Sequence, residues 1–163
     1  MASKRSTADP FAPHGHDHDA CVQTALAAAA TSCARDGKRL TPLRRRVLEL
    51  VWRSHRPVGA YDLLALLQVE RGRVAPPTVY RALEFLRHQG LVHRLDSLNA
   101  FIGCDRPGHG HQGHFLICQQ CGAAVEVRDG NLSGAIDRLA DRSGFAIAAE
   151  TVELTGHCAG CRD

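Results

Sequence analysis

Residues 75–92 read APPTVYRALEFLRHQGLV, and the paired prolines near their start govern how they can fold. Proline cannot continue a helix from within, but its fixed φ suits the first turn, where its missing N–H would have no partner anyway. Val79, Leu83 and Leu86 then recur at i, i+4 and i+7, which draws one apolar stripe along a helix. Thr78, Arg81 and His88 fall on its other faces, and Gly90 stops it. Directly beyond, LVHRLDSLNAFIG (91–103) alternates around a polar turn at Asp96 to Asn99, the pattern of a β-hairpin.

The chain upstream completes this unit. GAYDLLALLQVERG (59–72) predicts a short helix ended near Gly72. TPLRRRVLELVWRS (41–54) opens with Thr41 as N-cap and Pro42 at the first helical position, and Leu43, Val47, Leu50 and Val51 recur at helical spacing. An alanine-rich helix over 20–36 precedes it, stopped by Gly37. Three or four short helices followed by a hairpin describe a winged helix-turn-helix, with the helix that opens at Pro77 aimed at base edges. Arg81, one turn in, carries the donor fork that suits guanine O6 and N7, the other reading being a phosphate contact. Thr78 joins it as a candidate DNA contact. Tyr80 and Tyr61 are weaker candidates, because a tyrosine in a small helical unit serves as well in the core.

Charge divides the 163 residues in the same place. Residues 35–95 carry 13 Lys and Arg against 5 Asp and Glu, a net +8, whereas residues 96–163 carry 5 against 9, a net −4. The front half has the sign for phosphate, and the back half calls for a different partner. Residues 1–18 are polar and rich in Pro, Gly and His and are expected to form a disordered tail; His14, His16 and His18 are read there as composition, not as a metal site. No apolar run approaches the roughly 18 residues of a membrane helix, and MASKRSTADP has no apolar stretch behind its charges. A cytoplasmic protein without membrane partners is expected.

Seven cysteines include two CxxC pairs, CQQCG (118–122) and HCAGC (157–161). Without a secretion signal these favour zinc over disulfides. The 36 residues between Cys121 and Cys158 exceed the loop of a compact zinc ribbon and read as strand AAVEVR (123–128), helix NLSGAIDRLADRSG (131–144) and strand FAIAAETVELTG (145–156). Cys118, Cys121, Cys158 and Cys161 would then form a closed structural zinc site that clamps the last strand onto the middle of the chain. A closed site is a poor sensor, so sensing falls to the remaining donors: His93, Cys104, His109, His111, His114, Glu126 and His157. Cys21 and Cys33, on the first helix, are expected to pack as small apolar residues.

Five stretches in this order, RLTPLRRRVLEL (39–50), AYDLLALL (60–67), PPTVYRALEFLRHQGLVHRL (76–95), HFLICQQCG (114–122) and HCAGC, together resemble the ferric uptake regulator family of metal-sensing repressors, most closely its zinc uptake branch. The resemblance runs from about residue 22 to Cys161. It implies an α+β chain: a winged helix-turn-helix domain over 19–97, a hinge over 98–105 and a small α/β dimerisation domain over 106–163. It implies a regulatory zinc held by His93, Cys104, His111 and Glu126, hence about two zinc ions per chain, one structural and one regulatory. The histidines before the first CxxC are spread out as HGHQGHFLIC (109–118), so His109 and His114 compete with His111 for its position. The implied function is a homodimeric, zinc-responsive repressor of zinc-uptake genes on a palindromic AT-rich operator. No catalytic motif is recognisable, so neither an enzyme nor a small-molecule substrate is expected. Iron or peroxide sensing is the alternative within the family, and the Cys104 thiolate favours zinc.

Overall fold

The computed structural model describes Phe11 and residues 18–53, 56–107 and 112–162. The expected N-terminal tail, with His14 and His16, otherwise lies outside the described residues. Four helices come first: α1 (His18–Arg35), α2 (Pro42–Trp52), α3 (Ala60–Arg71) and α4 (Pro76–His88). Their ends follow local chemistry. The Thr41 side chain accepts from Arg44 N at the start of α2, Gly72 leaves α3 at φ 74°, and Gly90 turns the chain out of α4 at φ 67°. The stripe Val79, Leu83 and Leu86 is buried to 1% exposure or less and packs with Val47, Val51, Leu63 and Leu67 of α2 and α3 and with Leu26 of α1. Cys33 is buried in this core as expected, and burial raises its thiol above the ordinary cysteine value; Cys21 is half-buried.

The hairpin is present as β2 (Val92–Leu95) and β3 (Ala100–Gly103), joined through a turn at 96–99. Its partner β1 (Val58–Gly59) was not foreseen; two residues are too few for any periodic signal. The antiparallel order is β1-β3-β2. Residues 98–105, expected as a hinge, therefore contain the return strand of the wing, because β2 pairs with it from Leu95↔Ala100 to Val92↔Gly103.

A second sheet follows, of β4 (Gln112–Cys118), β5 (Ala124–Val127) and β6 (Glu150–Gly156), in the order β5-β4-β6. β5 runs antiparallel to β4 and β6 parallel to it, with α5 (Gly130–Arg142) in the crossover, capped by Asp129. The expected strand over 145–156 is shorter in fact. It begins at Glu150, which the register pairs with Gln112 at the start of β4. The two units touch where Leu95 and Ile102 of the wing pack with Phe115, Ile117 and Ala124 of the second sheet. Among the described residues no helix is long and apolar enough to cross a membrane.

Candidate metal centres and nucleic-acid face

The parallel register delivers both cysteine pairs to one end of the second sheet. Cys118 closes β4 opposite Gly156 of β6, two residues before Cys158. The chain turns back at Gly122 (φ 71°), whose N–H donates to Cys118 O, and Cys161 N–H donates to Cys158 O in a single 3-10 turn. The four sulfurs lie within 4.8 Å of one another, with Cys121 Sγ and Cys158 Sγ 4.0 Å apart. Zinc–thiolate bonds of about 2.3 Å in a tetrahedron set sulfurs about 3.8 Å apart, so the cluster fits zinc. All seven cysteines are free thiols. The Cys121 and Cys158 backbone amides around Cys118 pull its thiol down to about 6. Hydrogen bonding to Cys158 and burial push Cys161 up to about 12. One thiolate thus forms readily, and a cation must displace protons held by Cys158 and Cys161, both raised above the ordinary thiol value.

A second cluster sits between wing and sheet. His93 comes from β2, Cys104 follows β3 and Glu126 comes from β5, with their donor atoms within 4.8 Å of one another. Cys104 is fixed by its N–H to Leu91 O (3.0 Å) and by Gly103, which lies so close on Trp52 that a Cβ would stand 2.3 Å from the indole. His93 Nε2 is 3.5 Å from Glu126 Oε2, near the spacing of two donors on one tetrahedral zinc, and Phe115 meets the imidazole edge-on at 5.1 Å. Glu126 Oε2 is buried without a hydrogen bond among the described residues, while Oε1 faces Arg128 (3.4 Å), which also holds Asp105 (2.9 Å). Burial alone would lower the His93 pKa; the facing Cys104 and Glu126 outweigh it and raise the imidazole to about 9. Burial likewise opposes the Glu126 charge, yet His93 and Arg128 hold this carboxyl below the usual range. A divalent cation fits this donor set, for it would replace the His93 proton between a thiol and a carboxylate.

His111 and His109 lie outside the described residues. His114, the other competitor, is placed elsewhere. Side chains alternate along β4, so it stands on the face of the second sheet opposite Phe115, where it is buried against Glu150, Nε2 to Oε1 2.5 Å. His157 is exposed beside Cys158.

The outer face of the helical unit carries the other candidates. Thr78 and Arg81 on α4 are exposed, and Arg81 makes no ion pair with a described residue. Tyr80 is 46% and Tyr61 72% exposed, so neither serves the core. Not every basic side chain nearby is available: Arg44 lies 3.5 Å over the Phe85 ring and donates to Arg39 O, and Arg46 is paired with Glu49 and Glu70. Two contacts around the wing carried no signal in the sequence, namely Arg128 bridging Asp105 and Glu126, and Glu153 reaching the wing turn. Both join segments distant in the chain.

The sequence pattern of the ferric uptake regulator family matches residues 35–155. The chain belongs to this family. The zinc uptake regulation protein of Escherichia coli (strain K12) is 40% identical over 143 residues, which span 86% of this chain and 82% of that protein. A zinc uptake regulator complexed with zinc and DNA superimposes on this family member with a TM-score of 0.79 at 39% identity, over 85% of this chain and 93% of the other. Holo XcZur gives 0.77 at 42% identity over 84% and 96%, whereas apo XcZur gives 0.53 at 41% over 87% and 98%. At nearly equal identity, this family member superimposes more closely on the holo structure than on the apo one.

Proposed function

We propose that this chain is a zinc-responsive DNA-binding repressor of zinc-uptake genes that works as a homodimer on a palindromic AT-rich operator. The observation that carries the reading is the cluster His93, Cys104 and Glu126, whose members come from the wing, its junction and the second sheet. The likeness to zinc- and DNA-bound and holo regulators, over the apo one, supports it. Cys118, Cys121, Cys158 and Cys161 hold a structural zinc, and His93, Cys104, Glu126 and His111 a regulatory one, about two per chain. The division into a tail (1–18), a DNA-binding unit from residue 19 through the wing and a second unit from residue 106 belongs to this reading, as do a cytoplasmic location and the absence of enzymatic activity.

Zinc, when bound, supplies one charged centre shared by side chains of both units. His93 then fixes the wing, and through it α4, against the sheet that carries Glu126. In a dimer this sets the separation of the two recognition helices to match major grooves about one helical turn, or a multiple of it, apart. Without those ligands engaged, the units sample arrangements that cannot reach both half-sites. Leu139, Phe145 and Leu154 stand 58%, 67% and 52% exposed on the second unit, and β6 is an edge strand; a second copy would cover them. The deciding experiment titrates operator binding against buffered free zinc, iron(II) and manganese(II). Half-saturation by zinc well below the other two supports the reading, and a preference for iron would replace it with the iron- or peroxide-sensing alternative.

Two further outcomes follow. His93 carries a proton at neutral pH, since its pKa stands at about 9, and must release it to act as a ligand. Each unit by which the pH drops below that value should raise the free zinc needed for half-maximal operator binding about tenfold or more, with the requirement falling toward pH 9. A pH-independent midpoint would mean that His93 is not a ligand. Arg81→Ala should cost about 1–3 kcal/mol at the operator and relax sequence preference. Equal losses on operator and random DNA would mark Arg81 as a phosphate contact.

A further inference from the structure

The second sheet turns one row of side chains toward the wing. Phe115 on β4 is in register with Glu126 on β5 and with Glu153 on β6, which puts the three on one face. Glu126 meets His93 at one end of the row. Phe115, in the middle, packs on the His93 ring and in the cluster that holds Leu95. At the other end the Glu153 carboxylate spans the wing turn: Oε1 accepts from Asp96 N at 2.7 Å and Oε2 from Ser97 N at 3.0 Å. Two consecutive turn amides thus close on one carboxylate from another unit of the chain. Such charge-assisted bonds are stronger than neutral ones. Glu153 is in neither metal cluster.

The row therefore has a carboxylate at each end, and both address the same wing. Glu126 does so at the regulatory cluster, Glu153 by direct hydrogen bonds. We propose that Glu153 is a positioning residue for operator binding: a tether independent of the regulatory metal that holds the wing, and so α4, on the second sheet. This rests on the regulatory reading given under Proposed function. With the tether in place, the DNA-competent arrangement is already a sizeable fraction of the metal-free protein. Without it that fraction drops, and the apparent affinity for zinc drops in proportion. Glu153 thereby sets the zinc concentration at which the protein switches.

The test uses full-length protein and a palindromic AT-rich duplex selected with the wild type, titrated against buffered free zinc. Glu153→Ala should raise the free zinc for half-maximal binding about tenfold. At saturating zinc its affinity for DNA should return to within about twofold of wild type, with structural zinc and dimer unchanged. Glu153→Gln keeps the size of the side chain but sets an N–H₂ against one of the two amides. It should shift the midpoint the same way by a smaller factor, and it decides the matter if the alanine variant does not fold. A midpoint within twofold of wild type for the folded variant overturns the proposal. So does an equal loss at limiting and saturating zinc, which would mean a DNA contact or a damaged fold. Amide resonances provide an arm that does not depend on zinc: in the wild type the Asp96 and Ser97 protons should lie downfield and exchange slowly, and both features should be lost for one of the two amides in Glu153→Gln and for both in Glu153→Ala. If the wild type ignores zinc, the regulatory reading fails, and unchanged amides in the variant would sink the tether separately.

Discussion

Replacing Cys104 with serine should leave a folded dimer that no longer answers to zinc. In the proposed regulatory cluster the sulfur is the soft donor, and a serine hydroxyl is a far poorer ligand for zinc than a thiolate. Zinc affinity at this cluster should fall by at least about 100-fold, beyond what loss of a supporting residue costs. The four-cysteine cluster does not include Cys104, so the zinc it retains should remain at about one per chain. His93→Ala should behave alike, since it removes a donor from the wing side. A merely structural Cys104, 5% exposed at the base of the wing, forecasts something else: a slightly lower melting temperature and an intact zinc response. Operator titrations of both variants, with zinc content measured alongside, separate the two. A normal zinc response in both would sink the assigned cluster.

Cys118→Ser should be the more destructive change. The second unit has a thin core: among the described residues Phe115, Ile117 and Ala124 form its buried cluster, packed with Leu95 and Ile102 from the wing, and beyond it only Cys118 and Ala140 are buried apolar residues of this unit. Structural zinc contributes folding free energy on the order of 10 kcal/mol in small zinc domains, far more than such a core can replace. Removing one sulfur should release the zinc to a mild chelator and loosen β6 from β4. The dimer should dissociate, and operator binding should disappear at every zinc concentration. Cys158→Ser should do the same from the other pair. Zinc analysis with sedimentation reads both effects, and a folded, dimeric, zinc-free Cys118→Ser protein would refute the structural role.

What could be read from the sequence was local. The prolines before Thr78, the stripe Val79–Leu83–Leu86 and the cap at Thr41 each act within a turn or two, so four helices and a hairpin could be written down in advance. The CxxC pairs declared a cluster because their spacing is itself the chemistry. Contacts set by strand register escaped. Whether a histidine before Cys118 stands on the face toward the wing or on the opposite one depends on the pairing within the second sheet, which put His114 against Glu150. The last strand runs only over Glu150–Gly156, and the same register carried Glu153 to a turn 56 and 57 residues away. A parallel pairing across a helix leaves no periodic trace in either strand, and the two-residue β1 leaves none at all.

The flattened guanidinium of Arg44 and the forked one of Arg46 bear on how salt should act. Cations condensed on a DNA duplex are set free only where a protein charge replaces them, and each such contact steepens the fall of log K with log salt by about 0.9. Arg46 is already neutralised by Glu49 and Glu70 and has no charge left to exchange for a counterion, and Arg44, though still charged, is held over the Phe85 ring. The ionic-strength slope of the complex should therefore fall short of what a tally of basic residues suggests. Glu70→Gln, by loosening Arg46, should steepen it.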